Sequence, residues 1–505
     1  MDAPPGPDAP LPDDVATLQG MVRQLLGELR TLRAENADLK TKLDAALTHR
    51  FGRRSEHRTR VPKTEPGESR PRDPHGRAEL PAHLERREVV HDLSEAERLC
   101  PCCGRVRACI GQQSAEQLDC EPARFFVRRT TRKSYACRHC DPETVPPEQR
   151  LRTAGQNTVG PIPKGLCGPG LLASVLTAKF ADHVPLNRQL GIIARSGVTV
   201  CAATLCDWVR QAAELLTPLC AWMHRRVLAA PVLWSDDTRV RYQVPGRKTT
   251  ARGHLWVAVG DASAPYATFH FTRDYTAAAG PDRFLKDYRG FVHADCLAQY
   301  DPLFEAGARH VACWAHARRK LLDAGDAARP AVELVGRLYA VERNLPPPDT
   351  PEHLAERATR RRSESEPILT QLGAWLRAAS AAALPKSPLG RAAGYILPRW
   401  AAFTRYTTDG RLSIDNNLGE RSLRRVAVGR GNWTFLGSAA SGGWAATHYT
   451  VVGTCRHLGI DPFAYLRDVL VRLHDLGDRP TAEQLTPLLP DRWLDARSTS
   501  STAAA

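Results

Sequence analysis

The sequence lacks a long apolar run: nowhere do its 505 residues sustain the roughly 20 apolar side chains that a membrane-spanning helix needs. It also lacks the basic start and apolar centre of a secretory signal, because its opening stretch, MDAPPGPDAPLPDD, is acidic and rich in proline. Both absences lead to the expectation of a cytoplasmic protein without a membrane partner, in a compartment that keeps thiols reduced. The 14 cysteines are therefore expected as metal ligands or small buried side chains, not as disulfides. Positive charge is in excess, with 70 Lys and Arg against 55 Asp and Glu and a formal net charge of +15. Such a balance favours polyanionic partners, nucleic acid first and anionic membrane second. A chain of this length exceeds one ordinary core, so about two to four domains are expected.

Between residues 15 and 50 the apolar side chains keep a heptad. Val15, Val22, Leu29, Asn36 and Leu43 fall on one seam position, and Leu18, Leu25, Leu32, Leu39 and Ala46 on the other. This pattern predicts a leucine-zipper coiled coil, in which the lone Asn36 fixes register and favours a parallel homodimer. The alternative is one amphipathic helix packed on its own chain. Residues 57–90 lose the periodicity and read as a linker of Pro, Gly and charge.

Residues 91–141 carry two C-x-x-C pairs, Cys100 with Cys103 and Cys137 with Cys140. Each pair presents two thiolates to one ion, which predicts a zinc-ribbon-like module holding structural Zn²⁺. Cys102, Cys109, Cys120 and His139 are further candidates, and buried free thiols are the alternative. The stretch RFFVRRTTRKSY between the pairs interleaves aromatics with cations, as suits phosphate contact plus stacking or an exposed hairpin. A second linker is expected over 142–168. A helical region follows at 169–228, where helix, Gly197 and second helix make a possible helix-turn-helix.

From residue 229 the texture changes. VLWSDDTRVRYQV, GHLWVAVGD, YATFHFT, GFVHAD and HVACWAH are short runs rich in Val, Phe, Trp and Tyr. Three hairpin-connected strands followed by strand–helix–strand–helix is the order of a ribonuclease-H-like fold. We therefore expect a multidomain α/β protein with such a domain over 229–450, a helical insertion at about 320–405, a C-terminal element at 451–495 and a disordered tail at 496–505. That fold puts one acid on the first strand, one at the end of the fourth and one on a late helix: Asp236, Asp295 and Glu420 fit. Converging carboxylates imply divalent metal, and oxygen-only ligation suits Mg²⁺ or Mn²⁺ in a two-metal phosphoryl transfer. Each acid also has a plain reading, Asp295 as a cap for a helix near Ala298 and Glu420 as the partner of Asn417 in a capping box. In the first strand Asp236 shares a face with Val232, Trp234, Val240 and Tyr242. Asp237 shares the other with Arg239 and Arg241, which suits solvent or DNA, so the two acids are not expected to serve one site.

The motifs RFGRRSE, CPCCG, YACRHC, DHVPLNRQ, SDDT, HADCLAQY, CWAHARRK, LSIDNNLGERSLR, GRGNWTFLGS and GIDPFAYL, in this order, resemble the transposases of the insertion sequence 66 family over about residues 15–495. The resemblance implies a DDE-type transposase that binds the terminal inverted repeats of a bacterial insertion sequence and performs metal-dependent cleavage and strand transfer. Accessory proteins encoded beside such enzymes are possible partners. The family's Asp-Glu-Thr reads Asp236-Asp237-Thr238 here, and its first acid is the catalytic one, so the role passes to Asp236, with Asp295 and Glu420 as second and third. Cys296 stands where the family more often has Gly; neither departure removes a catalytic acid, so activity is expected to be retained.

Arg318, Arg319 and Lys320 follow CWAH, and Arg421, Arg424 and Arg425 share a helix with Glu420. They are expected either to hold DNA phosphates near the metals or to form solvated helix faces. Trp433 either stacks on a base or packs. Two rivals remain beside the transposase: an inactive DNA-binding repressor derived from one, and a ribonuclease-H-like nuclease that cuts without joining.

Overall fold

The computed structural model describes residues 14–51, 125–127, 134–136, 151–153, 160–162 and 167–502. The linker at 57–90 and all the cysteines and the histidine expected near zinc lie outside these residues. Two units are distinguished, residues 1–43 with 128–505, and residues 44–127. The heptad segment is one continuous helix, α1 (Val15–Phe51), and its seam residues Val15, Val22, Leu25, Leu29, Leu32 and Leu39 are exposed. β1 (Ser134–Ala136) and β2 (Leu151–Thr153) form a short antiparallel pair.

The five β-like runs read from the sequence are the five strands of one mixed sheet. They are β3 (Val232–Tyr242), β4 (Ala251–Gly260), β5 (Ala267–Thr272), β6 (Phe291–Ala294) and β7 (Arg309–Ala312), in spatial order β5-β4-β3-β6-β7. β3, β4 and β5 are joined antiparallel, whereas β3, β6 and β7 run parallel. The sheet's interior is made by Val232, Leu233, Trp256, Val257, Val292 and Val311, all fully buried. β3 pairs with β6 over three residues only, Val232–Phe291 to Trp234–His293; at its far end Tyr242 is bridged instead to Leu436, whose N–H donates to the Arg241 carbonyl at 2.8 Å.

Helices cover the sheet. α2 (Pro169–Phe180) and α3 (Leu186–Ala194) precede Gly197, whose φ of +76° turns the chain into α4 (Ala202–Ala229). This is the helical hairpin anticipated from sequence, but α4 runs for 28 residues and buries Leu205, Trp208, Leu216, Met223 and Val227. It lies against β4, β5 and the late helix at Ala439–His457, so its apolar face is committed to the sheet. Trp314–Leu322 (α5) follows β7, and then come α6 (Arg329–Arg343), α7 (Pro351–Arg360), α8 (Glu366–Ala382) and α9 (Pro388–Ile396), which build the insertion. α10 (Asn417–Trp433) returns to the sheet, and α11 (Ala439–His457) and α12 (Pro462–Leu476) complete it. β5 is an edge strand, and α11 closes that edge: Thr450 Oγ1 accepts from Phe269 N–H at 2.9 Å and Thr454 Oγ1 from Ala267 N–H at 3.0 Å. Of the tail expected to be disordered over 496–505, residues up to Thr502 continue a helix that starts at Pro490, where Leu489 and Trp493 are buried. Among the described residues, no helix is long and apolar enough to cross a membrane.

The insertion is held by two buried cations, Arg357, which donates to the carbonyls of Gly410 and Pro346, and Arg361. Arg361 opens a π-helical turn, Arg361–Ser365, between α7 and α8 and is fully buried. Its guanidinium donates to both oxygens of Glu342 on α6, at 2.8 and 2.7 Å, and to the carbonyls of Tyr406, Asp409 and Leu412 at 2.9–3.0 Å. All five N–H donors are used, which is what makes a buried guanidinium tolerable. Replacing Arg361 with Met leaves Glu342 only the more distant Arg357, 3.6 Å away, and strands the carbonyls of Tyr406, Asp409 and Leu412, so R361M should lose about 3–5 kcal/mol of stability. Urea denaturation checks this, and an unchanged midpoint refutes it.

Candidate active site

Register places the first two acids. Trp234 and His293 are paired across β3 and β6 and their rings stack at 4.9 Å. Two residues further along each strand, on the same face, stand Asp236 and Asp295. Both line a cleft of about 700 Å³ with Glu420, Asp237, Tyr275, His316 and Asn417. Its remaining lining includes Arg239, Arg319, Arg421, Arg424 and Arg430. A carboxylate cluster thus sits beneath a rim of guanidinium groups.

Glu420 arrives on the first turn of α10, and the turn before it is tied down by Asn416. That side chain is fully buried; its Nδ2 donates to the Ser235 carbonyl at 2.8 Å, and its backbone N–H donates to Cys313 Sγ at 3.2 Å. Gly419 makes room for it, because a Cβ at 419 would come within 2.9 Å of Asn416 Oδ1. Asn416 thereby fixes α10 to the backbone of the residue preceding Asp236. No sequence signal separated it from its neighbour Asn417, since only its tertiary partners give it this role. The capping-box reading of Glu420 does not hold: Asn417 lies inside the helix, and Glu420 Oε1 is buried with no hydrogen-bond partner. Nor does Asp295 cap a helix, for its Oδ1 accepts from Leu297 N–H at 3.2 Å in a turn before the 3₁₀ segment Ala298–Tyr300.

The electrostatics follow from burial. Desolvation pushes the Asp236 carboxyl up to about 8; an N–H bond from Asp237 opposes this, while the charges of Asp295, Asp237 and Glu420 add to it. Desolvation likewise raises Asp295 to about 6, with Asp237 and Glu420 contributing and Lys320 opposing. His316 faces Glu420, Nδ1 to Oε1 at 3.4 Å, and burial holds its basicity below the usual imidazole range. The Cys313 thiol is pushed up to about 12 by burial. Two carboxyls that resist ionisation and a third with an orphaned oxygen form a donor set lacking positive charge. Oxygen donors of this kind fit a hard divalent cation.

Two sequence expectations need correction. Asp237 faces neither solvent nor an open DNA surface: its side chain is 9% exposed, bonded to His254 Nδ1 at 2.7 Å and to the Tyr275 hydroxyl at 3.2 Å. It also lines the same cleft as Asp236. The reason is tertiary: His254 on β4 and Tyr275 cover that face of the strand and hold the Asp237 carboxylate. Only some of the expected cations meet there. Arg319, Arg421 and Arg424 line the cleft, but Arg318, Lys320, Arg425 and Trp433 are not among its lining residues. Lys320 lies 4.5 Å over the Tyr395 ring, Arg425 neighbours Arg456 and His183, and the Trp433 indole bonds to Tyr449. Arg239 and Arg430 were missed; Arg430 donates to Thr238 Oγ1 and the Arg239 carbonyl at 2.8 and 2.7 Å, tying α10 to β3.

The description "Transposase IS66 family" matches residues 164–443, "zinc-finger binding domain of transposase IS66" matches 97–141, and "IS66 C-terminal element" matches 450–490. The chain belongs to the IS66 family of transposases. Among its relatives in Sinorhizobium fredii, the uncharacterized protein y4hP is 33% identical over 453 residues, covering 84% of this chain and 78% of that protein. The uncharacterized protein y4jD is 31% identical over 437 residues, covering 82% and 81%. For this IS66 transposase, family membership implies DNA binding, divalent metals at the DDE domain and zinc at the zinc finger. The matched transposase region starts before α2, so the helical hairpin travels with the sheet.

A pH dependence follows. Asp236 and Asp295 keep protons in the native state that the unfolded chain gives up near 3.8, so the metal-free protein should lose stability as pH rises through about 6 and about 8. Mg²⁺ or Mn²⁺ should therefore raise the melting temperature more at pH 8 than at pH 6, and D236N should stabilise the metal-free protein at pH 8. Equal metal-induced shifts at both pH values would contradict this.

Proposed function

We propose that this IS66 transposase binds the terminal inverted repeats of its insertion sequence and catalyses metal-dependent DNA cleavage and strand transfer. The observation that carries the proposal is the meeting of Asp236, Asp295 and Glu420, from three separate segments, in one cleft rimmed by arginines. The sheet order, three antiparallel strands followed by two parallel ones, supports a ribonuclease-H-like catalytic domain.

In this reading Asp236, Asp295 and Glu420 hold Mg²⁺ or Mn²⁺. Divalent ions at such a site supply Lewis acidity to the attacking and leaving oxygens of a phosphodiester. The chain's own residues do the rest. Arg239, Arg319, Arg421 and Arg424 orient the DNA backbone by pairing with phosphates. Asn416 and Arg430 keep Glu420 at its distance from β3, while Asp237, backed by His254, keeps Tyr275 at the cleft wall. No protein nucleophile is needed, since water attacks in cleavage and a DNA 3′-hydroxyl in joining. Cys100, Cys103, Cys137 and Cys140 fall within the zinc-finger region and are proposed as the zinc ligands. The exposed seam of α1 supports a coiled-coil homodimer.

Purified protein, labelled element-end DNA and Mg²⁺ or Mn²⁺, with accessory proteins supplied, test the reading. D236N, D295N and E420Q should each bind DNA but neither cut nor join it; D237N should slow cleavage about 10–100-fold as a neighbour of the ligands. Cutting by D236N, or binding by wild type without any cut, would overturn the assignment, and cutting without joining would favour a nuclease. Sedimentation tests the coiled coil: L25K/L32K should convert a dimer to a monomer, and an unchanged mass would exclude α1 as the dimer contact.

A further inference from the structure

His316 and Glu420 present an arrangement that the three-acid reading leaves unused. Imidazole Nδ1 and carboxylate Oε1 lie 3.4 Å apart, and both atoms are buried without a hydrogen-bond partner. Buried polar atoms in folded proteins are nearly always paired. Here two face one another at ion-pair distance, neither making a hydrogen bond, in the wall of the cleft that also holds Asp236 and Asp295. Their backbones are fixed in the first turn of α5 and the first turn of α10.

A cation shared by the two would satisfy both atoms. Ligands about 2.1 Å from one ion on adjacent octahedral positions lie about 3 Å apart, close to the separation observed. Cys313 Sγ lies in the same group, with all three donor atoms within 4.8 Å of one another. Cys313 is already occupied, however: it is fully buried and its sulfur accepts the Asn416 N–H. That bond holds the turn that delivers Glu420, so the thiol positions the site and the donors left open are one nitrogen and one oxygen.

We propose that His316 is a fourth protein ligand of the divalent-cation site, giving a mixed nitrogen and oxygen set that favours Mn²⁺ over Mg²⁺. The proposal rests on the reading of Asp236, Asp295 and Glu420 as metal ligands. Carboxylate and water donors suit Mg²⁺ and Mn²⁺ alike, whereas imidazole nitrogen binds Mn²⁺ more readily than the harder, strongly hydrated Mg²⁺.

The test is electron spin-echo spectroscopy of Mn²⁺ added to the full-length protein, with no DNA present. Wild type should show a ¹⁴N coupling from directly bound imidazole, and H316Q should lose it while circular dichroism shows an intact fold. H316Q should also bind Mn²⁺ about 10–100-fold more weakly, with a smaller loss for Mg²⁺. Mn²⁺ binding that depends on Asp236 and Glu420 but carries no ¹⁴N coupling, or a coupling that survives H316Q, overturns the role of His316 and leaves the three-acid site standing. Mn²⁺ binding that D236N and E420Q do not weaken overturns the three-acid site itself, and this proposal with it.

Discussion

β3 and β6 pair in parallel only from Val232–Phe291 to Trp234–His293, and the unpaired continuation of that register sets Asp236 across from Asp295. Much of the site depends on where the pairing stops. Past Trp234 the partners of β3 change: the Ser235 carbonyl accepts from Asn416, the Arg239 carbonyl from Arg430, and Tyr242 is bridged to Leu436. Both carboxyls are largely desolvated yet border a cavity, and their resistance to ionisation follows.

Glu420 must be brought to this point across a long insertion, and the connection is polar rather than apolar. Arg361 binds α6 to the carbonyls of residues 406–412, the stretch leading into α10. Asn416 then joins that stretch to Ser235 and Cys313, and Arg430 joins the far end of α10 to Thr238. Hydrogen bonds to backbone carbonyls have a direction and a length that apolar contacts lack. They can set the placement of one carboxylate far more tightly than apolar packing would.

Much of this was legible in the chain. Five runs of β-branched and aromatic residues correspond to the five strands, and the spacing of three acids led to one cleft. The insertion was visible as helix-rich sequence between HVACWAH and DNNLGER. What stayed hidden depends on tertiary partners. Alternation put Asp237 on a face shared with arginines, but the partners His254 and Tyr275 cover that face and hold it inward. Basic residues on one helix look alike in sequence, yet Arg421 and Arg424 reach the cleft while Arg425 turns toward Arg456. The polar tail after Pro490 is helical because Trp493 finds a buried place beside Asp468 and Tyr465.

The closing of β5 by Thr450 and Thr454 bears on how such a gene decays. A reading frame cut before α11 would still encode β3 to β7, the acids and everything N-terminal to them, yet β5 would be left with bare N–H groups along a hydrophobic rim. Open strand edges recruit other strands, so the shortened product would aggregate and be degraded. A stop codon before α11 would therefore cost the whole protein, and a lasting DNA-bound repressor would arise more readily by loss of an acid in a chain that keeps α11.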